Sequence, residues 1–325
     1  MLKPQFEMSP SALIDPAFRA DVLAGFASRP RAIPARWFYD RAGSELFEAI
    51  TALPEYYPTR TEARILDTAG PAIAAAVGAG RAVVEFGSGS SAKTPLLLRA
   101  IAPAAYVPID ISGDFLRQSA GQLARAFPGL PVHPIEADFM HPIALPDAVA
   151  GLPKLGFFPG STIGNMIPAT STDLLRAMRM SLSTGAMLLI GMDRIKPADV
   201  LIPAYDDAQG VTAAFNLNLL ARINRELAGT IPVTAFRHRA IWNDMRARIE
   251  MHLEAVRDVS FEIEGQAFAM AAGETIHTEN SHKYGPRDAR ILLRAGGWTP
   301  IAEWTDPAAH FAVILAEAQA PRTAP

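Results

Sequence analysis

The chain has 325 residues, half of them hydrophobic and 19% charged, a globular composition with core enough for one large domain or two moderate ones. A formal net charge of −3, with no run of Lys and Arg, gives no electrostatic pull toward nucleic acid or an anionic membrane. There is no cysteine, which excludes a disulfide framework, a thiolate nucleophile and a cysteine-ligated metal, and fits a cytoplasmic protein.

Residues 1–60 read as loops and short helices punctuated by proline, without the charged start and long apolar stretch of a signal peptide. Thr59 and Glu62 have the spacing of a capping box, which predicts a helix start just after LPEYYP and puts Tyr56 and Tyr57 where a loop enters a helix. From Ala82 onward short apolar runs alternate with helical patterns. AVVEF, AYVPID, VHPIEADF, KLGFFPG and AMLLIGMD are predicted strands, and the segments between them include helices over TPLLLRAIA, GDFLRQSAGQLARAF and TSTDLLRAMRMSL. That rhythm implies βαβ units and a parallel sheet. The longest apolar runs, such as Ala186–Met192, have strand length and fall far short of a membrane span. Phe215, Leu219, Ile223 and Leu227 recur every four residues on one face of a long helix, followed by strand patterns over RARIEMHLEA and VSFEIEG. The segment Ala289–Asp306 followed by HFAVILAEA reads as a helix and two strands able to extend the sheet along an antiparallel edge. The expected organisation is a domain of residues 61–195 plus 285–320, and a second, discontinuous α+β domain of residues 8–60 plus 196–284.

The turn Gly87-Ser-Gly89-Ser-Ser-Ala92 matches G-x-G-x-x-A after a strand, a weak signal by itself. Asp110, about 20 residues on, sits where a ribose hydroxyl partner is expected. Glu85, at the mouth of the turn, repels a pyrophosphate and suits a cation. S-adenosylmethionine carries a sulfonium and an ammonium and no phosphate, so Glu85 argues for it over a nicotinamide dinucleotide. Asp138 and Phe139, at the end of the third strand, are a carboxylate for an exocyclic amine and a ring for the flat face of adenine. Three acids at successive strand ends, Glu85, Asp110 and Asp138, form the pattern of a Rossmann-like class I methyltransferase. Lys93, in the first turn of a helix where the dipole disfavours it, is held there for a ligand or for a carboxylate.

Several stretches together resemble one family: RWFYDRAGSELFEAIT, LPEYYPTRTE, EFGSGSSAKT, FFPGSTIGN, YDDAQGVTAAFNLNLL and IHTENSHKY. The resemblance covers nearly the whole chain and is to the histidine-specific N-alpha-methyltransferases of ergothioneine biosynthesis. It implies three methyl transfers from S-adenosylmethionine to the alpha-amine of L-histidine, with S-adenosylhomocysteine as by-product and hercynine as product, in two domains that close over the substrate. Carried over by motif, Tyr39, Gly87, Lys93, Asp110, Asp138 and Phe139 bind the methyl donor. Tyr56, Gly160, Asn165 and Tyr205 hold the amino acid, and Met251, Glu279 and Ser281 line its side-chain pocket. Tyr39, Tyr56 and Asn165 are the candidates at the reacting nitrogen. The adjacent Tyr57 is the alternative to Tyr56.

Chemically, Glu279 can accept a ring N–H and Ser281 can donate or accept, so a histidine ring is preferred to an apolar one. The competing reading of Glu279 is a local pair with Lys283, four residues on. Asp206 and Asp207 suit a helix N-terminus. The histidines, His133, His141, His238, His252, His277, His282 and His310, show no zinc-ligand spacing, so no metal is expected. A monomer acting on a small molecule, with no nucleic acid or membrane partner, is the expectation. The alternatives are a same-fold enzyme for another amino acid such as tryptophan, a nicotinamide-dependent oxidoreductase, and a non-catalytic S-adenosylmethionine sensor.

Overall fold

The computed structural model describes residues 15–89 and 93–319. By contacts the chain divides into two compact units. One comprises Met1–Ala52, Tyr205–Ile241 and Glu250–Glu279, the other Leu53–Ala204, Trp242–Ile249 and Asn280–Pro325. The second unit thereby takes residues 53–60, 196–204, 242–249 and 280–284, which the sequence reading placed in the other domain. The reason is physical: Tyr57, Lys196 and Lys283 all anchor on Asp193 of the second unit's sheet.

That sheet has seven strands: β1 (Ala82–Phe86), β2 (Ala105–Asp110), β3 (Ile135–Glu136), β4 (Lys154–Phe158), β5 (Met187–Asp193), β6 (Trp298–Thr305) and β7 (Phe311–Ala318). Their spatial order is β6-β7-β5-β4-β1-β2-β3. Strands β1 to β5 are parallel, and β7 runs antiparallel to both β5 and β6. This is the expected α/β, Rossmann-like sheet with its antiparallel extension. The predicted strand VHPIEADF shrinks to β3 at the sheet edge, with Val132 joined to Tyr106 by an isolated bridge.

Both faces of the sheet are covered, as a parallel sheet demands. Alternate residues of a strand face opposite ways. Val83, Tyr106, Leu155, Phe157 and Leu189 pack on one side with Ile65, Ile73, Leu97 and Leu98 from the helices Tyr57–Thr68, Gly70–Val77 and Thr94–Ile101. Val84, Phe86, Val107, Phe158 and Ile190 pack on the other with Leu174, Met178, Leu292 and Leu293 from Pro168–Leu182 and Pro286–Ala295. The strand order reverses between β1 and β4, so the carboxyl ends of β1, β2 and β4 border the crevice where such sheets take ligands.

In the first unit, the helix Val211–Glu226 buries Phe215, Leu219 and Ile223, the stripe predicted from the sequence. Its N-terminus is capped by Asp207, whose carboxylate accepts from the amides of Val211 (3.0 Å) and Thr212 (2.7 Å). Burial pushes the Asp207 carboxyl up, but these amides outweigh it and its pKa lies below the ordinary carboxylate range. Phe38 and Phe215 pack with centroids 4.6 Å apart. A four-stranded sheet has the order Arg31–Ala32, Thr275–His282, Arg248–Ala255, Phe236–Asn243, and a hairpin pairs Val259–Ile263 with Gln266–Met270.

Candidate active site

Gly87, Asp110, Asp138 and Phe139, four of the residues expected to bind the donor, lie at or just after the carboxyl ends of β1, β2 and β3. Gly87 has φ +70°, and a Cβ there would lie 3.2 Å from the Phe139 ring, so only glycine lets the turn pass under that ring. The Gly87 amide donates to the Ile109 carbonyl (2.9 Å), and the Gly89 amide donates to Asp110 Oδ2 (2.9 Å). Asp110 Oδ1 accepts from Ser112 N–H (2.9 Å), and Asp138 Oδ1 accepts from Met140 N–H (2.9 Å). Each carboxylate is thus oriented by backbone and retains lone pairs for a ligand. Phe139 packs edge-to-face on Phe158 at 5.9 Å. Ser90, Ser91 and Ala92 of the glycine motif lie outside the described residues.

Glu85 is a correction. Its side chain shares the parity of Val83 and turns into the core, 2% exposed, instead of meeting a ligand at the mouth of the turn. Thr94 Oγ1 donates to its carboxylate (2.8 Å), as does the Tyr106 hydroxyl (2.6 Å). Burial pushes its pKa up to about 7, with the Tyr106 and Thr94 hydrogen bonds opposing the rise.

The acid that does reach the ligand-side loops is Glu62. The predicted capping box does not form: the helix begins at Tyr57 after Tyr56, and Glu62 lies inside it. The Glu62 carboxylate, 1% exposed, pairs with Lys93 and accepts the Gly160 amide at 2.8 and 3.1 Å. Lys93 is therefore held by a carboxylate, one of the two readings its position allowed. Gly160, carried over as a substrate contact, thus gives its amide to Glu62. Gly191 on β5 makes room, since a Cβ there would come within 1.9 Å of Glu62 Oε1.

The loop after β4 is tightly built. Gly160 (φ +83°) and Ser161 (φ +56°) are both left-handed, a conformation a serine adopts only when held. The hold is the Asp193 amide, which donates to Ser161 Oγ (2.9 Å). Asn165 closes the following turn, half-buried, and its carboxamide makes no hydrogen bond among the described residues. The His282 backbone lies so close to Gly164 that a Cβ would sit 2.8 Å from the His282 carbonyl, and His282 Nδ1 is 2.9 Å from the Gly164 carbonyl. Two motifs more than a hundred residues apart in sequence thus meet here.

Behind them lies a buried charged cluster that linear spacing could not reveal. Asp193 Oδ1 accepts from Lys196 (2.5 Å), and Oδ2 accepts from the Tyr57 hydroxyl (2.6 Å) and lies 2.7 Å from Lys283 Nζ. Lys196 also donates to Tyr57 (2.7 Å), and Lys283 to Ser281 Oγ (2.8 Å). Burial pushes the Asp193 carboxyl up, but the two ammonium groups outweigh it and its pKa lies below the ordinary range. Burial lowers Lys196 to about 8 against the pull of Asp193. Tyr57 is 6% exposed and committed to this cluster, whereas Tyr56 is half-buried at the helix start. The geometry favours Tyr56 over Tyr57 as a ligand contact.

In the first unit, Tyr39 ends a short 3-10 turn, 37% exposed, its ring edge-on to Phe47 (5.5 Å) and Phe215 (5.8 Å). Tyr205 is buried, and its carbonyl accepts from His238 Nε2 (2.7 Å). Asn216, fully buried, donates to His238 Nδ1 (2.8 Å) and the His252 carbonyl (3.1 Å) and accepts from Thr278 (2.8 Å). His238 is thereby set as the neutral Nε2–H tautomer, and burial lowers its pKa. This network, centred on Asn216, escaped the sequence reading; its signal was a polar residue on an otherwise apolar helix face. Met251 is buried, its carbonyl accepting from Thr278 (3.0 Å), and the carbonyl of half-buried Glu279 faces His277 Nε2 (3.0 Å). Glu250, His252 and His277 also gather, with candidate ligand atoms within 4.8 Å of one another. The two rings stack at 19°, so their in-plane lone pairs do not converge on one ion.

The chain is similar to known proteins along most of its length. The model of the family described as "Histidine-specific methyltransferase, SAM-dependent" matches residues 18–318. The chain is 42% identical over 309 residues to a histidine N-alpha-methyltransferase of Mycolicibacterium smegmatis, covering 92% of this chain and 94% of that protein. It is 41% identical to the protein of the same name from Mycobacterium tuberculosis, with the same coverage. It is 23% identical to a 4-dimethylallyltryptophan N-methyltransferase of Claviceps fusiformis over 91% of this chain and 90% of that protein. With that match running from the first described helix to the end of β7, the chain belongs to the family of histidine-specific, S-adenosylmethionine-dependent methyltransferases.

Proposed function

We propose that the protein transfers three methyl groups from S-adenosylmethionine to the alpha-amine of L-histidine, giving hercynine in ergothioneine biosynthesis. The observation that carries this reading is the near full-length likeness to two proteins named histidine N-alpha-methyltransferase, at 42% and 41% identity. The likeness to a tryptophan-type enzyme is much weaker, at 23%. The residues fit the methyl donor: the Gly87 turn beneath Phe139 leaves space no Cβ fills, and Asp110 and Asp138 are carboxylates held by backbone amides at adjacent strand ends. When bound, the donor supplies an electrophilic methyl group on a sulfonium. Lys93, oriented by Glu62, is the cation for its carboxylate.

The reaction is an in-line displacement by a neutral amine, so the protein supplies no nucleophile. Its work is orientation, worth roughly 7–11 kcal/mol in favourable cases. Asn165 and Tyr205 are proposed to hold the substrate carboxylate. Tyr39 and Tyr56 are proposed near the amine, where aromatic faces and phenol oxygens favour the cation that grows with each methylation. Glu279 and Ser281, alternate residues on one face of the strand Thr275–His282, are proposed to recognise the ring, with Met251 packing against it.

Mass spectrometry of purified protein with S-adenosylmethionine and L-histidine, beside a parallel reaction with L-tryptophan, tests the reading. Three methyl groups on the histidine alpha-nitrogen are expected. Methylation of tryptophan alone moves the function to another amino acid and leaves the fold assignment intact. Tyr56→Phe is expected to slow the transfers, and full activity at all three steps removes Tyr56 from the amine.

A further inference from the structure

We propose that His238 and Asn216 are positioning residues for the substrate carboxylate, acting through the backbone of Tyr205. The inference rests on the reading of Tyr205 as a carboxylate contact, and every residue of the series lies in the first unit. A carbonyl oxygen only accepts, so the amide nitrogen of Asn216, not its oxygen, faces the His252 carbonyl at 3.1 Å. The second hydrogen of that nitrogen goes to His238 Nδ1 (2.8 Å), which must therefore be unprotonated. The ring proton is left on Nε2, and the group it meets is the Tyr205 carbonyl at 2.7 Å. Each partner in the series fixes the next. Turning the Asn216 amide over would set oxygen against oxygen at His252.

The series sits where a polar group is costly. Asn216 is fully buried on the helix Val211–Glu226, within the stripe of Phe215 and Leu219. A leucine there would pack without polar cost, whereas a buried amide must have its hydrogen bonds made. The His238 side chain is 1% exposed, and the nearest Asp206 oxygen is 4.0 Å from Nε2, too far for a hydrogen bond. The Nε2–H is thus committed to Tyr205. The segment 205–210 is held at its helix end by Asp207, which caps Val211 and Thr212. The His238 bond holds its other end, at the residue whose phenol is assigned to the substrate. A phenol oxygen has one proton and two lone pairs, so Tyr205 can meet a ligand while keeping other partners. Thr278, whose hydroxyl lies 2.8 Å from Asn216 Oδ1, is also 3.0 Å from the carbonyl of Met251. The same buried amide is therefore tied to the strand that carries a proposed side-chain contact.

The test compares His238→Phe, His238→Gln, Tyr205→Phe and the double variant His238→Phe/Tyr205→Phe in the full chain, by initial rates with L-histidine and S-adenosylmethionine. Tyr205→Phe is expected to raise KM for histidine about 10-fold. His238→Phe keeps the phenol and removes its anchor. It is expected to raise that KM by about 10-fold as well, while kcat and KM for S-adenosylmethionine stay within roughly 3-fold. A glutamine amide can replace the Nε2–H donor, so His238→Gln is expected to hold KM for histidine within about 3-fold of wild type. The double variant is expected to be no worse than Tyr205→Phe alone. Additive penalties, an unchanged histidine KM in His238→Phe, or an equal loss in His238→Gln overturn the proposal. An unchanged histidine KM in Tyr205→Phe overturns it by removing the carboxylate contact. Absence of any methylated histidine from the wild-type protein is the separate failure of the functional reading. Should His238→Phe not fold, His238→Gln and nitrogen magnetic resonance of the histidine-labelled protein decide. His238 is expected to carry its proton on Nε2, and to gain one on Nδ1 in Asn216→Asp, whose carboxylate only accepts. A wild-type proton on Nδ1, or a ring unchanged in Asn216→Asp, overturns the proposal.

Discussion

Two buried glutamates of the second unit, Glu85 and Glu62, exchange the roles their sequence neighbourhoods suggest. Glu85 stands beside the glycine turn and reads as a ligand group, yet it turns inward to Thr94 and Tyr106. Glu62 reads as a helix cap, yet it reaches Lys93 after β1 and the Gly160 amide after β4. Both are almost fully buried. What separates them is the partner set: hydroxyl groups within the core in one case, a lysine and a loop amide beside the ligand crevice in the other. Proximity to a motif along the chain is therefore a poor guide to function when strand parity points the side chain away.

The sharpest way to break this contrast is Glu62→Gln. Loss of the Lys93 pair is expected to lower kcat/KM about 100-fold, the scale of a small misplacement of reacting groups, with weaker S-adenosylhomocysteine binding by calorimetry. Rates within twofold of wild type end the distinction. Gly191→Ala attacks the same point sterically and should give about a 10-fold rate loss with roughly 1–3 kcal/mol of destabilisation, seen in initial rates and denaturant melts. Glu85→Gln is expected to leave rates unchanged and to act on stability. The folded pKa is about 7 against an ordinary 4.5, so the folded protein keeps a proton that the unfolded chain releases. This contribution is full below pH 4.5 and lost as pH rises through 7, a swing of about 3 kcal/mol. The variant should therefore exceed wild type in stability near pH 8 and converge with it in acid, in denaturant melts across pH. The smallest effect is expected from Tyr106→Phe, about 1–3 kcal/mol of destabilisation above neutrality, less in acid, and no change in kcat.

Much of the second unit's sheet was legible because its strands are apolar runs broken by helices, and the antiparallel pair followed from HFAVILAEA after a tight connection. The stripe from Phe215 to Leu227 was legible for the same reason: burial imposes a period. The misreadings have local causes. Glu85 was read by its nearness to glycine rather than by its parity with Val83. The Thr59–Glu62 spacing matched a cap that a helix starting three residues earlier does not need. The ties of Glu62 to Lys93, Asn216 to His238, and Asp193 to Lys196 and Lys283 depend mostly on residues distant in sequence. No periodicity announces such contacts, because they depend on how the chain folds back and not on a repeat along it.

The position of β7 has a consequence for how the chain is made. It is the last of the seven strands to leave the ribosome, yet it lies inside the sheet, between β5 and β6. Until Phe311–Ala318 emerges, the nascent protein carries an open β5 edge with its amides and carbonyls unpaired. During that interval the growing chain is most exposed to mispairing with its neighbours and most dependent on whatever shields it.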